Sequence, residues 1–251
     1  MISKKIQKEI RQLGNKKFRD EEGLFLAEGG KCVPELLTAF SCRTVVATAH
    51  WLTENAHLLP SDIEILEVSC DELQRISIQQ HPQDVLAIFR QPSLLPAPLV
   101  GKGDLIIALD GVQDPGNLGT ILRIADWYGV KHLVCSPDCA DAYSPKVVQS
   151  SMGSLGRVIV HRQSLVAWLR RQGGNIPIYG TTLQGESLYE TAVAAHGVIV
   201  MGNEGRGLSK PVRDCLTREL FIPRFPTGST TPESLNVAVA TAIVCDAFRR
   251  Q

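Results

Sequence analysis

Short apolar runs that alternate with helix-like stretches dominate the second half of the chain. The first run, "DLIIALD" at 104–110, precedes a stretch with Leu118, Ile121, Leu122 and Ala125 on one helical face. Five similar runs follow: "HLVC", "RVIVH", "IPIYGTT", "GVIVMG" and "ELFIP". Continuous apolar strands separated by helices are typical of a parallel sheet covered on both faces. We therefore predict an α/β fold with a parallel sheet, whose ligands bind at the carboxyl ends of the strands.

The first half of the chain predicts a smaller α/β domain. Ile6, Ile10 and Leu13 recur at helical spacing, and the strand-like runs "LFLAEG", "TVVATA", "IEILEV" and "VLAIFR" follow. Between the halves, "QPSLLPAPLVGKG" contains three prolines and two glycines without periodicity, which is typical of a linker. We predict an N-terminal domain over 1–92, a linker over 93–103 and a C-terminal domain over 104–251.

The composition, with 44% hydrophobic and 21% charged residues, is ordinary for a soluble globular protein. No apolar run reaches the roughly 18 residues of a membrane span, and a lysine-rich stretch follows Met1 in place of an apolar signal core. The seven cysteines form no CxxC pair, and Cys135 and Cys139 lack a second pair at a zinc-site spacing. We expect a cytoplasmic protein with reduced core thiols, no membrane span and no metal.

The charge is unevenly distributed although the formal net charge is zero. The first 20 residues contain seven basic residues and two acidic ones. A basic segment of this kind either binds nucleic-acid phosphates or forms the solvated face of an amphipathic helix. Charge alone favours neither interpretation.

The loop after the run at 104–110 brings polar side chains to the carboxyl end of a strand. Asn117, in "DPGNLG", is a suitable helix N-cap or turn residue. Arg123 lies beside the apolar stripe of the following helix, near its start. A guanidinium at this position is well placed to bind an anionic group.

The segment "VMGNEGRGLS" at 200–209 places Glu204 among glycines directly after a strand. Its spacing is not that of a dinucleotide fingerprint, and no GxxxxGK occurs in the chain. A carboxylate repels a phosphate, so the loop is better suited to a neutral or cationic ligand, or to orienting another side chain. The alternative is a glycine-rich turn with a solvated glutamate.

The segment 221–250 joins an apolar strand to a strongly apolar helix. Ser234 is expected to cap that helix, which is the more frequent role of such a serine. Asn236 precedes a buried-looking run, so it needs hydrogen-bond partners or lies at a site. The apolar character of the helix predicts burial, in part against a second subunit.

Together these three blocks resemble the motifs of the SpoU (TrmH-like) family of RNA 2'-O-ribose methyltransferases, of the SPOUT class. The matching segments are "DPGNLGTILRIADWYGV", "VMGNEGRGLS", and "IP" followed later by "SLNVAVATAI", in the family's order over roughly 105–251. The segment "IRQLGNKKFRDEEGLFLAEGGK" looks like part of the ribosomal-protein-like substrate-binding domain that many rRNA-directed members have.

The resemblance implies a C-terminal trefoil knot that binds S-adenosylmethionine, a homodimer, and no metal. It implies a catalytic site lined by Asn117, Arg123, Glu204, Ser234 and Asn236. The cofactor-binding residues that it implies are Thr181, Leu183, Gly202, Ile222 and Leu235. Since this cofactor is an uncharged adenosine with a cationic sulfonium, a glutamate among glycines suits it better than it suits a phosphate.

The resulting prediction is transfer of a methyl group from S-adenosylmethionine to a ribose 2'-hydroxyl of RNA. The separate N-terminal domain favours rRNA over tRNA. A non-catalytic RNA-binding module and methylation of a base nitrogen are the alternatives; the intact polar residues count against the first, and the Asn117–Arg123 block against the second. One departure from the family is the ten residues between Pro223 and Ser234, more than we expect there. They affect the expected geometry of the cofactor loop.

Overall fold

The structure, a computed structural model, describes residues 2–93, 95–226 and 234–250. The chain divides into two compact units. One comprises Met1–Ser93 and Asp141–Arg157, and the other comprises Leu94–Ala140 and Val158–Gln251. The predicted domain boundaries remain a prediction, but residues 141–157, which we placed in the C-terminal domain, pack with the first unit.

The first unit contains a four-stranded mixed sheet. Its strands are β1 (Leu24–Glu28), β2 (Cys42–Ala47), β3 (Glu64–Glu67) and β4 (Val85–Arg90), in the order β1-β4-β2-β3. Strand β4 is antiparallel to β1 and β2, whereas β2 and β3 are parallel. The helices up to residue 93 are α1 (Lys4–Gln12), α2 (Lys16–Glu22), α3 (Cys32–Leu37), α4 (Ala49–Asn55) and α5 (Cys70–Ile76). A 3-10 turn, Ala56–Leu58, follows α4. The prediction of a smaller N-terminal α/β region is confirmed.

The second unit contains a six-stranded sheet in which every pair of neighbours is parallel. Its strands are β5 (Leu105–Asp110), β6 (His132–Cys135), β7 (Ile159–Arg162), β8 (Ile178–Ser187), β9 (Gly197–Gly202) and β10 (Arg218–Phe221). Its helices are α6 (Pro115–Trp127), α8 (Leu165–Arg170), α9 (Lys210–Arg213) and α10 (Val237–Arg249). The predicted α/β fold with a parallel sheet is confirmed.

The strand order β10-β8-β9-β5-β6-β7 explains why ligand chemistry is expected beside β5 and β9. From β5 the chain adds β6 and β7 on one side, and it later adds β9 on the other side. The order therefore reverses between β5 and β9, and loops leaving the carboxyl ends of such strands enclose a crevice. Every residue of β5 is buried, because a central strand is covered on both faces.

Helix α7 (Pro145–Ser151) packs with the first unit, as does the 3-10 turn Ser154–Gly156. The guanidinium of Arg19, with its side chain 2% exposed, places Nη2 2.5 Å from Oδ2 of Asp141. The rings of Tyr143 and Phe25 lie 5.1 Å apart between centroids. A buried ion pair and an aromatic contact thus anchor this segment to α2 and β1. Neither contact follows from a local sequence pattern, since the partners are far apart along the chain.

Side-chain hydrogen bonds anchor the predicted linker to β7 and α8. The pairs of side chain and backbone group are His161 with Leu95, Gln163 with Ala97, Trp168 with Pro98 and Gln172 with Val100. Residues 95–100 have no regular secondary structure. Their backbone is nevertheless bound at four points, so this stretch is not a free tether.

The anchor at Leu95 includes a pair of histidines. Nδ1 of His161 lies 3.0 Å from the carbonyl oxygen of Leu95, which can only accept, so Nδ1 carries the proton. Nε2 of His161 therefore accepts the hydrogen bond from Nδ1 of His132, also at 3.0 Å. Partial burial is the main cause that lowers the pKa of His132 below its ordinary value, and the neighbouring His161 lowers it further.

We expect the free energy of unfolding to decrease as the pH falls below 6.5, the ordinary pKa of histidine. In that range the unfolded chain binds a proton that the folded protein binds less readily at His132. The variant His132→Asn, whose amide can still donate to His161, should lose this part of the pH dependence. Urea unfolding at pH 7.5 and pH 5.5 measures it, and the same difference in both proteins would contradict the assignment.

Candidate functional site

The candidate site lies at the carboxyl ends of β5 and β9, where the strand order reverses. Three parts of the second unit contribute to it: the loop that joins β5 to α6, the loop that follows β9, and the start of α10. Each part contains residues that the three sequence blocks singled out. Hydrogen bonds between the parts decide which of these residues come together.

Asn203 determines the shape of the loop after β9. Its Oδ1 accepts hydrogen bonds from the backbone N–H groups of Gly205 and Arg206, both at 3.0 Å. Its Nδ2 donates to the carbonyl oxygen of Gly111, 2.7 Å away in the loop after β5. Asparagine favours such turns because its side chain can replace a backbone partner. The loop is thereby held against its neighbour, with Glu204 inside the turn.

Two glycines allow the turn to close on itself. The backbones of Asn203 and Gly207 exchange hydrogen bonds of 3.1 and 2.8 Å, and Gly207 has a φ of +68°, which favours glycine. A Cβ atom at Gly202 would lie 2.5 Å from the carbonyl carbon of Gly207. The family resemblance implied that Gly202 binds the cofactor. At Gly202 the space of the missing side chain is used by the loop itself.

Asn117, Glu204 and Asn236 form a hydrogen-bonded chain, which we call the Glu204–Asn117–Asn236 chain. Oε1 of Glu204 accepts from Nδ2 of Asn117 at 2.7 Å, and Oδ1 of Asn117 accepts from Nδ2 of Asn236 at 2.9 Å. Oδ1 of Asn236 accepts from the backbone N–H groups of Ala238 and Val239. The chain therefore contains one residue from each of the three sequence blocks, with Asn117 between the other two.

The direction of every bond in this chain follows from the backbone of α10. A backbone N–H can only donate, so Asn236 must turn its oxygen toward α10 and its nitrogen toward Asn117. Asn117 must then use its oxygen for Asn236 and its nitrogen for Glu204. Residue 204 is consequently required to be an acceptor, and Oε1 of Glu204 fills this role.

Both predicted helix caps were wrong. Asp114, not Asn117, caps α6, and its Oδ1 accepts from the backbone N–H of Asn117 at 2.8 Å. Asn236, not Ser234, caps α10, which begins at Val237. A capping side chain is engaged with its own helix, so the cap at Asp114 leaves the side chain of Asn117 available to Glu204. Ser234 is exposed and forms no hydrogen bond within the described parts of the chain.

Arg123 does not join the chain. It is exposed on α6, six residues after Asn117 and thus about 9 Å further along the helix axis. Within residues 2–93, 95–226 and 234–250 its side chain has no ion pair or hydrogen bond. As far as these residues are concerned, the donors of its guanidinium are available for an external anion.

The five residues expected at the cofactor lie on β8, β9, and the segments after β10 and before α10. Oγ1 of Thr181 donates to the carbonyl oxygen of Val200 at 3.4 Å. Leu183 and Leu235 expose 63% and 51% of their surface, and Ile222 is half-buried just after β10. The four residues other than Gly202 thus offer apolar surface and one hydroxyl. Most of the unexpected insertion, residues 227–233, lies outside the described residues.

Sequence analysis missed two residues that hold the site together. One is Asn203. An asparagine directly before Glu-Gly in a loop is a sequence pattern that could have indicated its role in the turn. The other is Asp110, whose Oδ2 accepts from the backbone N–H of Ser209 at 2.6 Å. Asp110 is only 9% exposed, and its signal was a carboxylate that ends a buried strand.

The described residues contain neither a metal-binding cluster nor a membrane-spanning helix. No group of three or more His, Cys, Asp or Glu side chains there is arranged to hold a metal ion. No helix in the same residues has the length and apolarity to cross a membrane.

Comparisons with known proteins match both parts of the chain. Residues 104–246 match the SpoU rRNA Methylase family, and residues 4–87 match the MRM3-like substrate binding domain. A 23S rRNA (guanosine(2553)-2'-O)-methyltransferase of Bacillus subtilis (strain 168) is 30% identical over 245 residues, which are 94% of this chain and 93% of that protein.

Solved structures agree with these matches. A protein of the TrmH family from Porphyromonas gingivalis is 43% identical, with a TM-score of 0.90 and all of both chains covered. An AdoMet-bound rRNA methyltransferase from Sinorhizobium meliloti is 31% identical, with a TM-score of 0.86 over 100% of this chain and 96% of that one.

The direction of the bonds in the Glu204–Asn117–Asn236 chain predicts that Asn117→Asp destabilises the protein and that a second substitution at Glu204 restores much of the stability. In Asn117→Asp an oxygen replaces the nitrogen that donates to Glu204, so two carboxylates face each other, and we expect a loss of about 1 kcal/mol in the free energy of unfolding. In Asn117→Asp/Glu204→Gln the glutamine amide can donate to the new carboxylate, and much of the loss should be recovered. Urea unfolding at pH 7 measures both variants, and no recovery in the double variant would show that the chain is not formed in solution.

Proposed function

Because this chain belongs to the SpoU rRNA Methylase family, we propose that it transfers a methyl group from S-adenosylmethionine to a ribose 2'-hydroxyl of ribosomal RNA. The observation that carries the proposal is the Glu204–Asn117–Asn236 chain at the point where the strand order reverses. On the same helix as Asn117, Arg123 is exposed and its side chain has no partner among the described residues. Two relatives that match nearly the whole chain support rRNA over tRNA, since one is named as a 23S rRNA methyltransferase and the other as an rRNA methyltransferase. The intact polar set supports catalysis over a binding module that kept only the fold.

The proposed cofactor residues suit S-adenosylmethionine. The carboxylate of Glu204 complements a cationic sulfonium, and the apolar surfaces of Leu183, Ile222 and Leu235 suit an adenine ring. Thr181 and the backbone at Gly202 offer polar contacts at the same strand ends. When bound, this cofactor supplies an electrophilic methyl group.

The protein has to position the 2'-hydroxyl and assist loss of its proton, because a hydroxyl is a poor nucleophile. A guanidinium donates hydrogen bonds and accepts none, so Arg123 is not suited to act as the base. We assign it the role of holding a phosphate of the substrate and the hydroxyl with its planar guanidinium. The carboxylate of Glu204 is kept in one orientation by Asn117. Ser234 is proposed as a further polar group in this site.

A homodimer, a trefoil knot at the C-terminal segment and a cytoplasmic location complete the proposal. For the dimer, the support is an exposed apolar surface on two helices: Trp127 of α6 is 85% exposed and Val239 of α10 51% exposed. For the knot, the support is the family resemblance together with the bond from Asn236 to Asn117. All seven cysteines are unpaired, which suits a reducing compartment.

Transfer of labelled methyl from S-adenosylmethionine to purified 23S rRNA and to tRNA tests the function. We expect label in a 2'-O-methyl nucleotide of rRNA. Arg123→Ala should reduce turnover by about 100-fold or more, because loss of a group that orients the reacting hydroxyl has an effect of this size. Arg123→Lys keeps the charge but loses the planar fork, so its turnover should also be well below that of the wild type. Calorimetric titration with S-adenosylmethionine serves as the control, because both variants should still bind it.

Turnover near the wild-type value in Arg123→Lys would refute the role of the planar guanidinium. Label in a base, or only in tRNA, would refute the proposed substrate group. No label in either RNA, despite cofactor binding, would favour a non-catalytic module.

The dimer is tested with Trp127→Lys. Placing a charge in an apolar interface is strongly unfavourable, so we expect sedimentation equilibrium at micromolar concentration to show a dimer for the wild type and a monomer for the variant. Tyr189→Lys is the matched control, because Tyr189 is also a large, exposed side chain of the second unit. A monomeric wild type, or a variant that remains dimeric, would exclude the proposed interface.

A further inference from the structure

The fold divides the seven basic residues of the first 20 into two groups. Lys16 and Lys17 form ion pairs with Asp20 and Glu21 one turn later on α2. Arg19 is buried in its ion pair with Asp141. These three positive charges are thus compensated within the first unit, and the remaining four lie on α1.

Three of the remaining charges form a row. Lys4, Lys8 and Arg11 are separated by four and three residues, so they share one face of α1. All three are exposed and line an open groove together with Gln7, Gln12 and Asn15. We call Lys4, Lys8 and Arg11 the basic row. No carboxylate lines this groove, whereas the groove on α2 is lined by Lys16, Lys17, Asp20 and Glu21.

Two carboxylates, Glu9 on the same helix and Glu72 on α5, have other partners. Glu9, the only acidic residue of α1, pairs with Arg43 at 2.7 Å. Glu72 of α5 forms the capping box of its own helix with Ser69. Arg11 donates to the carbonyl oxygen of Arg75, which is not a charged partner. The row therefore keeps its positive charge.

The other face of α1 excludes a membrane surface as the partner. Ile10 and Leu13 are fully buried in the core of the first unit, and Ile6 packs against the same core. A helix that binds membranes needs its apolar face for the lipid. The exposed face offers only cations and amides, which suit a polyanion with regularly spaced charges.

We propose that the basic row is a phosphate-binding surface for the rRNA substrate. From Lys4 to Arg11 the helix rises about 10 Å. One strand of a DNA duplex has one phosphate per about 3.4 Å of axis, and on that scale the row is as long as about three successive phosphates. Gln7 and Gln12 add amides that can hydrogen-bond ribose or phosphate oxygens. This proposal rests on the proposed function, since it assigns a surface to the same substrate.

The experiment compares two double variants that remove the same charge from the first 20 residues. Lys4→Gln/Lys8→Gln affects the basic row, and Lys16→Gln/Lys17→Gln affects the paired lysines. Binding to deproteinised 23S rRNA is measured by fluorescence anisotropy from 50 to 300 mM KCl. Thermal melting checks that both variants are folded.

For Lys4→Gln/Lys8→Gln we expect the slope of log K against log salt to decrease in magnitude by about 1.4 to 1.8. Each of the two lost phosphate contacts contributes about 0.7 to 0.9 to this slope. At 100 mM salt this corresponds to binding weakened by about tenfold or more. Lys8→Gln alone should give about half the change in slope. Lys16→Gln/Lys17→Gln should keep a slope close to that of the wild type.

Equal slopes in the two double variants, or a wild type that does not bind rRNA, would overturn the basic row as an RNA surface. A methyl-transfer assay on the same proteins separates this outcome from failure of the proposed function. With Lys4→Gln/Lys8→Gln, KM for rRNA should rise while kcat stays near the wild-type value. A wild type that binds rRNA with the expected slope but transfers no methyl group would refute the proposed methyltransferase activity, while the basic row would still be supported as an RNA-binding surface.

Discussion

The backbone N–H groups at the start of α10 are the constraint on which the candidate site depends. They can only donate, so Asn236 must present its oxygen to them and its nitrogen to Asn117. Asn117 must in turn present its nitrogen to Glu204. The start of α10 thereby decides whether each side chain of the Glu204–Asn117–Asn236 chain donates or accepts toward the next one. It also explains the acidic residue in a glycine-rich loop, because an acceptor is needed there and a carboxylate adds the charge that suits a sulfonium.

The position of Glu204 depends on how two neighbouring loops are joined. Asn203 connects the turn after β9 to the loop after β5, and Asp110 holds the end of that turn through Ser209. Gly202 leaves room for the turn to fold back on itself. The glycines of this segment therefore act first on the protein's own backbone. Because the strand order reverses here, the loops can approach each other and still leave a crevice for ligands.

The first unit shows that the same residue type can have different roles within a few turns. Arg19 is buried and anchors Asp141, whereas Arg11 is exposed and bonds only to a carbonyl oxygen. Lys16 has a carboxylate one helical turn away, but Lys8 has none. Formal charge counts these residues equally. Only the presence of a partner in space decides whether a charge contributes to packing or remains available to an external anion.

The sequence by itself determined the strands and the sheet, since continuous apolar runs such as Leu105–Asp110 are buried on both faces wherever they pair. It also singled out Asn117, Glu204 and Asn236, through their positions next to buried runs and through the resemblance of the three blocks to the family's motifs. It could not show that these three bond to one another, that Asp114 and Asn236 cap the helices, or that residues 141–157 pack with the first unit. Only the tertiary structure decided these points, because each depends on a hydrogen bond or ion pair whose strength is set by distances between atoms, and competing caps such as Ser234 and Asn236 differ in geometry more than in chemical type.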